Sequence, residues 1–217
     1  MKEPIDFEQL IGNKIYEREP QDRDRTQDPD KKFSPSSAGY CERQMFLTKA
    51  GLKVFTRKAV GSMKSGSILH KWIGGSLRDK GALEQNVKLV ITDQIINPEN
   101  LYFEGTYDFF DYTYIYDFKS TSNINYSISS PTEKDKDQLI IYMAGLSILK
   151  GFIVYIDKRH LKVKQHLVEF NQKRLEKIFQ RATNVYREYI NWKYNGKKEI
   201  PFKKCGCNFC DMEDEHE

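Results

Sequence analysis

Three of the chain's four cysteines stand within six residues near its end, Cys205-Gly206-Cys207-Asn208-Phe209-Cys210, and the fourth, Cys41, comes from the opposite end of the sequence. Thiols spaced that closely in a reducing compartment form a metal or cluster site far more often than they reflect chance burial. Four thiolates satisfy either tetrahedral zinc or an iron–sulfur cluster, and the C-x-C step, shorter than the spacing of most zinc modules, favours the cluster. If Cys41 completes the set, the fold must bring both ends of the chain together. Taken alone, Cys41 also reads as a small buried hydrophobe.

A reducing compartment is itself an expectation. The opening residues, MKEPIDFEQLIGNK, are charged from the second position and lack an apolar run or a small-residue cleavage site. A cytoplasmic, intracellular chain is expected, with disulfides disfavoured. The longest apolar stretch, Leu139 to Ile156, is interrupted by Lys150 and Gly151. It reads as helix, glycine stop and buried strand, so no membrane partner is expected. At 217 residues with 13% aromatic side chains, the chain can bury one core and is too aromatic for disorder. Its net charge of +4 permits a nucleic-acid partner without arguing for one.

Hydrophobic periodicity divides the chain into elements. A short amphipathic helix is expected over Phe7 to Tyr16. Glu17 to Lys32 follows, with 11 charged residues in 16, and reads as a linker that tolerates removal. Residues 1–32 therefore form an appendage, 33–200 the main domain, and 201–217 a cysteine segment completed by Cys41. Ser36 or Ser37 is expected to cap a helix through Met45 to Gly51. A second helix should span Lys58 to Lys80, with His70 near its buried side among Ile68, Leu69, Trp72 and Ile73. Strands are expected at Ala82 to Thr92, Leu101 to Asp111 and Tyr112 to Lys119. A helix from Thr132 or Asp135 to Leu149, strands at Phe152 to Asp157 and Leu161 to Phe170, and a helix capped by Asn171 complete the order. The class is α/β or α+β with a mixed sheet.

Two expected strands carry a carboxylate each, Asp108 and Asp117, and Lys119 lies two positions beyond the second, on the same strand face. Hard oxygen ligands of this kind suit Mg²⁺ or Mn²⁺, and the lysine could orient a water or offset phosphate charge. The D-x-K pattern alone is short and common. Gly66-x-x-x-His70 offers an imidazole, although a lone histidine on an apolar face is more often a core residue. Gln138 and Tyr142, at i and i+4, share a helix face.

In order, Cys41, Gly66-x-x-x-His70, Gly105-x-x-Asp108, Asp117-x-Lys119, Gln138-x-x-x-Tyr142 and Cys205/Cys207/Cys210 resemble the RecB-like branch of the PD-(D/E)XK nucleases. The similarity is to its iron–sulfur exonucleases, which include the fourth CRISPR-associated protein family and related viral nucleases. It spans Phe33 to Cys210 and implies a restriction-endonuclease-like mixed sheet flanked by helices. It further implies that His70, Asp108, Asp117 and the Phe118 carbonyl hold Mg²⁺ or Mn²⁺, and that Lys119 is catalytic. Gln138 and Tyr142 would support the site. Cys41, Cys205, Cys207 and Cys210 would hold a [4Fe–4S] cluster, with zinc as the alternative. Asp117 stands where glutamate is commoner, Glu42 where a proline often precedes the arginine, and the three late cysteines are unusually close.

The expected activity is metal-dependent DNA exonuclease action on DNA ends and single strands, with endonuclease activity beside it, in recombination or CRISPR adaptation and with partner proteins of those processes. A non-catalytic nucleic-acid-binding subunit and a zinc-stapled binding module are the alternatives. Residues 171–204 hold ten Lys and Arg against three Glu and form a candidate phosphate track.

Overall fold

The computed structural model describes residues 29–52, 57–91, 100–122, 130–196, 199–207 and 209–210. Among these are strands β1 (Lys32–Phe33), β2 (Ala82–Leu83), β3 (Asn86–Val90), β4 (Tyr102–Thr106), β5 (Phe109–Phe110), β6 (Ile115–Thr121), β7 (Lys150–Asp157) and β8 (Val163–Glu169). The helices are α1 (Glu42–Lys49), α2 (Arg57–Leu77), α3 (Glu133–Leu146) and α4 (Gln172–Tyr194). The expected helix at Phe7 to Tyr16 and most of the charged linker lie outside the described residues.

The strands form two mixed sheets, ordered β1-β4-β3 and β2-β5-β6-β7-β8. A single bent hairpin runs through both. Ala82 and Leu83 face Phe110 and Phe109 in the larger sheet, and the same register continues with Asn86 to Val90 facing Thr106 to Tyr102 in the smaller. The ladder breaks only at Glu84 and Gln85 opposite Tyr107 and Asp108. Glu84 takes a positive φ of 47° there, and its N–H donates to the Asp108 carbonyl. The two expected strands are thus each split in the middle, and Asp108 sits at the bend.

The five-stranded sheet lies between two helices. Ile115 on β6 and Ile153 and Tyr155 on β7 pack towards Leu139, Tyr142 and Met143 of α3. Phe118, Val154 and Ile156 project to the other side, against Leu69, Ile73 and Leu77 of α2. The expectation that Ile68 and Trp72 lie with Leu69 and Ile73 on the buried side is corrected: Ile68 is 70% and Trp72 61% exposed. Positions 69, 73 and 77 share one face of a 3.6-residue helix, and 68 and 72 fall outside it. The larger core lies between α1, α3, α4 and the smaller sheet and includes Phe46, Phe103, Ile140 and Phe179.

Several local expectations need correction. Tyr112 to Tyr114 form a turn rather than the start of β6, because Asp111 Oδ1 accepts the N–H groups of Thr113 and Tyr114. Pro35–Ser37 is a short 3₁₀ turn, and Cys41 rather than a serine caps α1, its sulfur accepting the Gln44 N–H. Asp30 and Lys32, at the end of the expected linker, touch the main domain. Lys32 pairs with Glu104 at 2.6 Å, and Asp30 accepts from Tyr189, Lys193 and Tyr194 on α4. Deleting Glu17 to Lys32 therefore removes part of the fold.

Helices α3 and α4 are clamped by charge. Buried Asp137 accepts from Arg174 Nε at 2.5 Å and from Arg181 at 3.0 Å, while Arg174 also reaches the Glu133 carboxylate and carbonyl. These arginines and Lys193 hold the fold together, which weakens the case for α4 as the phosphate track. Asp137→Ala leaves two half-buried guanidinium groups without their carboxylate, and should cost about 2–3 kcal/mol in urea unfolding. A loss below about 0.5 kcal/mol, the level of an ordinary surface change, would show that the clamp contributes little.

Candidate active site

The β5–β6 ladder closes at Phe109 opposite Tyr116. One step further along the two chains the strands part, and Asp108 and Asp117 flank the opening. Asp108 Oδ2 accepts the Phe118 N–H at 2.6 Å, so a backbone bond fixes one carboxylate beside the other. Its Oδ1 lies 3.4 Å from His70 Nδ1. His70 reaches this point because α2 runs close to β6. A Cβ on Gly66 would lie 3.1 Å from the Ser120 hydroxyl, and the His70 ring meets Phe118 edge-on.

Asp117 and Lys119 face α3. Lys119 Nζ donates to Asp117 Oδ1 at 3.1 Å and to Gln138 Oε1 at 2.8 Å. Asp117 Oδ2 is also 2.9 Å from the ammonium, but takes no aligned hydrogen bond and is buried. Tyr142, one turn beyond Gln138, donates to the Thr106 carbonyl at 2.8 Å and so holds the end of β4, next to the bend. Gly105 is required there, since a Cβ would meet Pro35 at 2.7 Å.

The structure thus pairs His70 with Asp108 on the α2 side of β6, and Asp117 with Lys119 and Gln138 on its α3 side. Among the described residues, only the four cysteines form a set with every ligand atom within 4.8 Å of the others. A cavity of about 1040 Å³ lined by Leu89, Met143, Ile148 and Phe179 lies elsewhere and contains none of these groups.

Burial raises the Asp117 carboxyl to about 6; the Lys119 charge opposes this, and the Asp108 charge adds to it. The Lys119 ammonium is raised, because Asp117's charge and hydrogen bond outweigh the effect of burial. His70 is raised by its bond to Asp108, against burial. Burial, with the Asp117 charge, raises the Tyr142 phenol and keeps it a donor. A buried carboxylate oxygen without an aligned donor, crowded by a second carboxylate, is a donor set that suits a hard divalent cation.

The raised Asp117 value carries a sign. Between about pH 4 and about pH 6 the folded chain holds a proton that the unfolded chain releases, so this group's contribution to stability falls as pH rises through that window. Thermal melts in EDTA should show this slope, and Asp117→Asn should flatten it. An identical slope in the variant would contradict the assignment.

Sequence reasoning missed Asp135. It sits one turn before Gln138, accepts the Tyr155 hydroxyl at 2.5 Å, and its charge acts on both Asp117 and Lys119. Its i, i+3 spacing to Gln138 was the available signal. Glu104, buried on β4, pairs with Lys32 and Asn86.

The cysteines meet at the other end of α1. Cys41 Sγ lies 3.8 Å from both Cys207 and Cys210, and Cys205 lies 3.8 Å from Cys210. Arg43 donates to the Phe202 carbonyl, and Phe202 packs on Phe46, so the tail belongs to the main core. A tetrahedron with Zn–S near 2.3 Å has an edge of about 3.8 Å. A [4Fe–4S] centre inserts four irons and four sulfides between the thiolates and needs a wider cage. The spacing fits a single ion.

No family model matches the chain, and no curated protein matches its sequence. Solved structures share its fold. The protein SSO0001 aligns with a TM-score of 0.59 at 15% identity, over 85% of this chain and 87% of its own. The alkaline exonuclease of Laribacter hongkongensis gives 0.51 at 13% identity, over 74% of this chain and 89% of its own. A candidate exonuclease from Eubacterium rectale gives 0.52 at 11% identity, over 90% and 93%. The architecture is the α+β fold that these structures share. No described helix is long and apolar enough to cross a membrane.

Proposed function

We propose that the chain is a divalent-metal-dependent deoxyribonuclease, working as an exonuclease on DNA ends and chiefly on single strands. The observation that carries this reading is the pairing of His70 with Asp108 and of Asp117 with Lys119 on facing residues where β5 and β6 part. That two fold relatives bear the name exonuclease, and that the Laribacter enzyme was solved with dAMP, supports it.

His70, Asp108 and Asp117 would hold Mg²⁺ or Mn²⁺. A residue in a strand directs its N–H and C=O to the same side. The Phe118 carbonyl therefore shares the opening with its N–H and is the fourth donor. The ion supplies Lewis acidity towards a phosphodiester. Lys119, held by Asp117 and Gln138, places a fixed positive charge where phosphate oxygens gain charge. Asp108 orients the imidazole through Nδ1, and Tyr142 fixes the strand leading to Asp108. The four cysteines form a structural centre that joins residue 41 to the tail, and zinc fits their spacing in place of the [4Fe–4S] cluster.

The sequence resemblance supports a role in DNA recombination or CRISPR adaptation. A labelled oligonucleotide incubated with Mn²⁺, and in parallel with EDTA, tests the reading. Cleavage confined to the Mn²⁺ sample is expected. Binding without cleavage in either would favour the non-catalytic subunit.

A further inference from the structure

The sequence from 57 to 78 holds five Lys and Arg and no Asp or Glu, and 158–166 holds four more, again without an acid. The fold brings these two segments together. Lys158 Nζ donates to the Ser65 hydroxyl at 2.8 Å, five residues before His70 on α2. The Lys158 N–H donates to the Thr121 carbonyl at 2.8 Å, two residues beyond Lys119 on β6. Asp157, the adjoining acid, is 4% exposed and turned to the Arg159 N–H and His160. Lys64, Lys71, Arg159 and Lys162 are exposed. Among them on α2 stands Trp72, 61% exposed, unusual for so large an apolar ring.

We propose that this acid-free face, formed by α2 and the turn after β7, is the track on which a single DNA strand lies as it enters the site. The inference rests on the nuclease reading and adds the substrate path. Closely set cations track phosphates in any sequence, and an exposed indole offers a stacking platform for an unpaired base, which duplex DNA does not present. Ile68, one turn before Trp72 and 70% exposed, widens the platform.

The chain has two tryptophans, and the other, Trp192, packs edge-on against Phe46. Both indoles fluoresce, so the difference between the wild type and Trp72→Phe reads Trp72 when the full chain is titrated with an oligothymidine of about 20 nucleotides in EDTA, where cleavage is stopped. Quenching is expected for the wild type and should vanish in Trp72→Phe. The double variant Arg159→Glu, Lys162→Glu should weaken binding at least about tenfold and reduce the salt slope by about two. Quenching that survives in Trp72→Phe, unchanged affinity in the double variant, or no binding by the wild type would each overturn the track. The Mn²⁺ assay separates this from the enzymatic reading. Cleavage with an unchanged double variant leaves the nuclease and removes the track, whereas quenching without cleavage leaves the track and removes the nuclease.

Discussion

Asp117→Ala and Lys119→Ala should each lower DNA cleavage by about 10³-fold or more while the protein stays folded. The size of the effect follows from the site's construction. Asp117 is 2% exposed and is held by Lys119, which is fixed in turn by Gln138. Removing the carboxylate takes away the proposed metal donor and the lysine's partner. Removing the lysine leaves a buried carboxylate uncompensated, so Lys119→Gln is the gentler companion variant. Circular dichroism and melting separate lost chemistry from lost structure. Wild-type rates in either alanine variant would remove both residues from the mechanism.

The second large effect is expected at Cys41. Its sulfur both caps α1 and lies within 3.8 Å of Cys207 and Cys210. Serine is itself a good N-cap, so Cys41→Ser preserves the helix start and isolates the metal contribution. The variant should lose its metal and about 4 kcal/mol of stability, the scale expected when a cross-link closing a loop of more than 100 residues is opened. Elemental analysis of the wild type should find one zinc per chain and no colour. Four irons per chain with a brown colour would restore the cluster that the resemblance implies. A Cys41→Ser protein that kept both metal and stability would show that the site does not join the chain ends.

Much of the architecture was legible because it is local. Asn171 and Thr132 each cap the helix expected to follow them, their side chains accepting the N–H groups of Arg174 and Asp135. What the sequence concealed depended on partners distant in the chain. Nothing local marks the bend at Glu84, yet that bend splits two strands and sets Asp108 beside Asp117. The alternation from Tyr112 onwards looked like strand, but Asp111 folded its first three residues into a turn. Arg174 and Arg181 looked like phosphate ligands until Asp137 faced them. The motif residues themselves were visible because each combines a reactive side chain with a fixed spacing, such as the two-residue step from Asp117 to Lys119. Asp135 offered only its three-residue step to Gln138, and the fold brings its charge to Asp117 and Lys119.

The central claim is that His70, Asp108 and Asp117 hold a divalent metal at the opening between β5 and β6. Anomalous diffraction from crystals soaked in Mn²⁺ tests it most directly. The account predicts a manganese peak bounded by these three side chains and the Phe118 carbonyl. A soaked crystal with no peak there, or with manganese only among the cysteines, would contradict it.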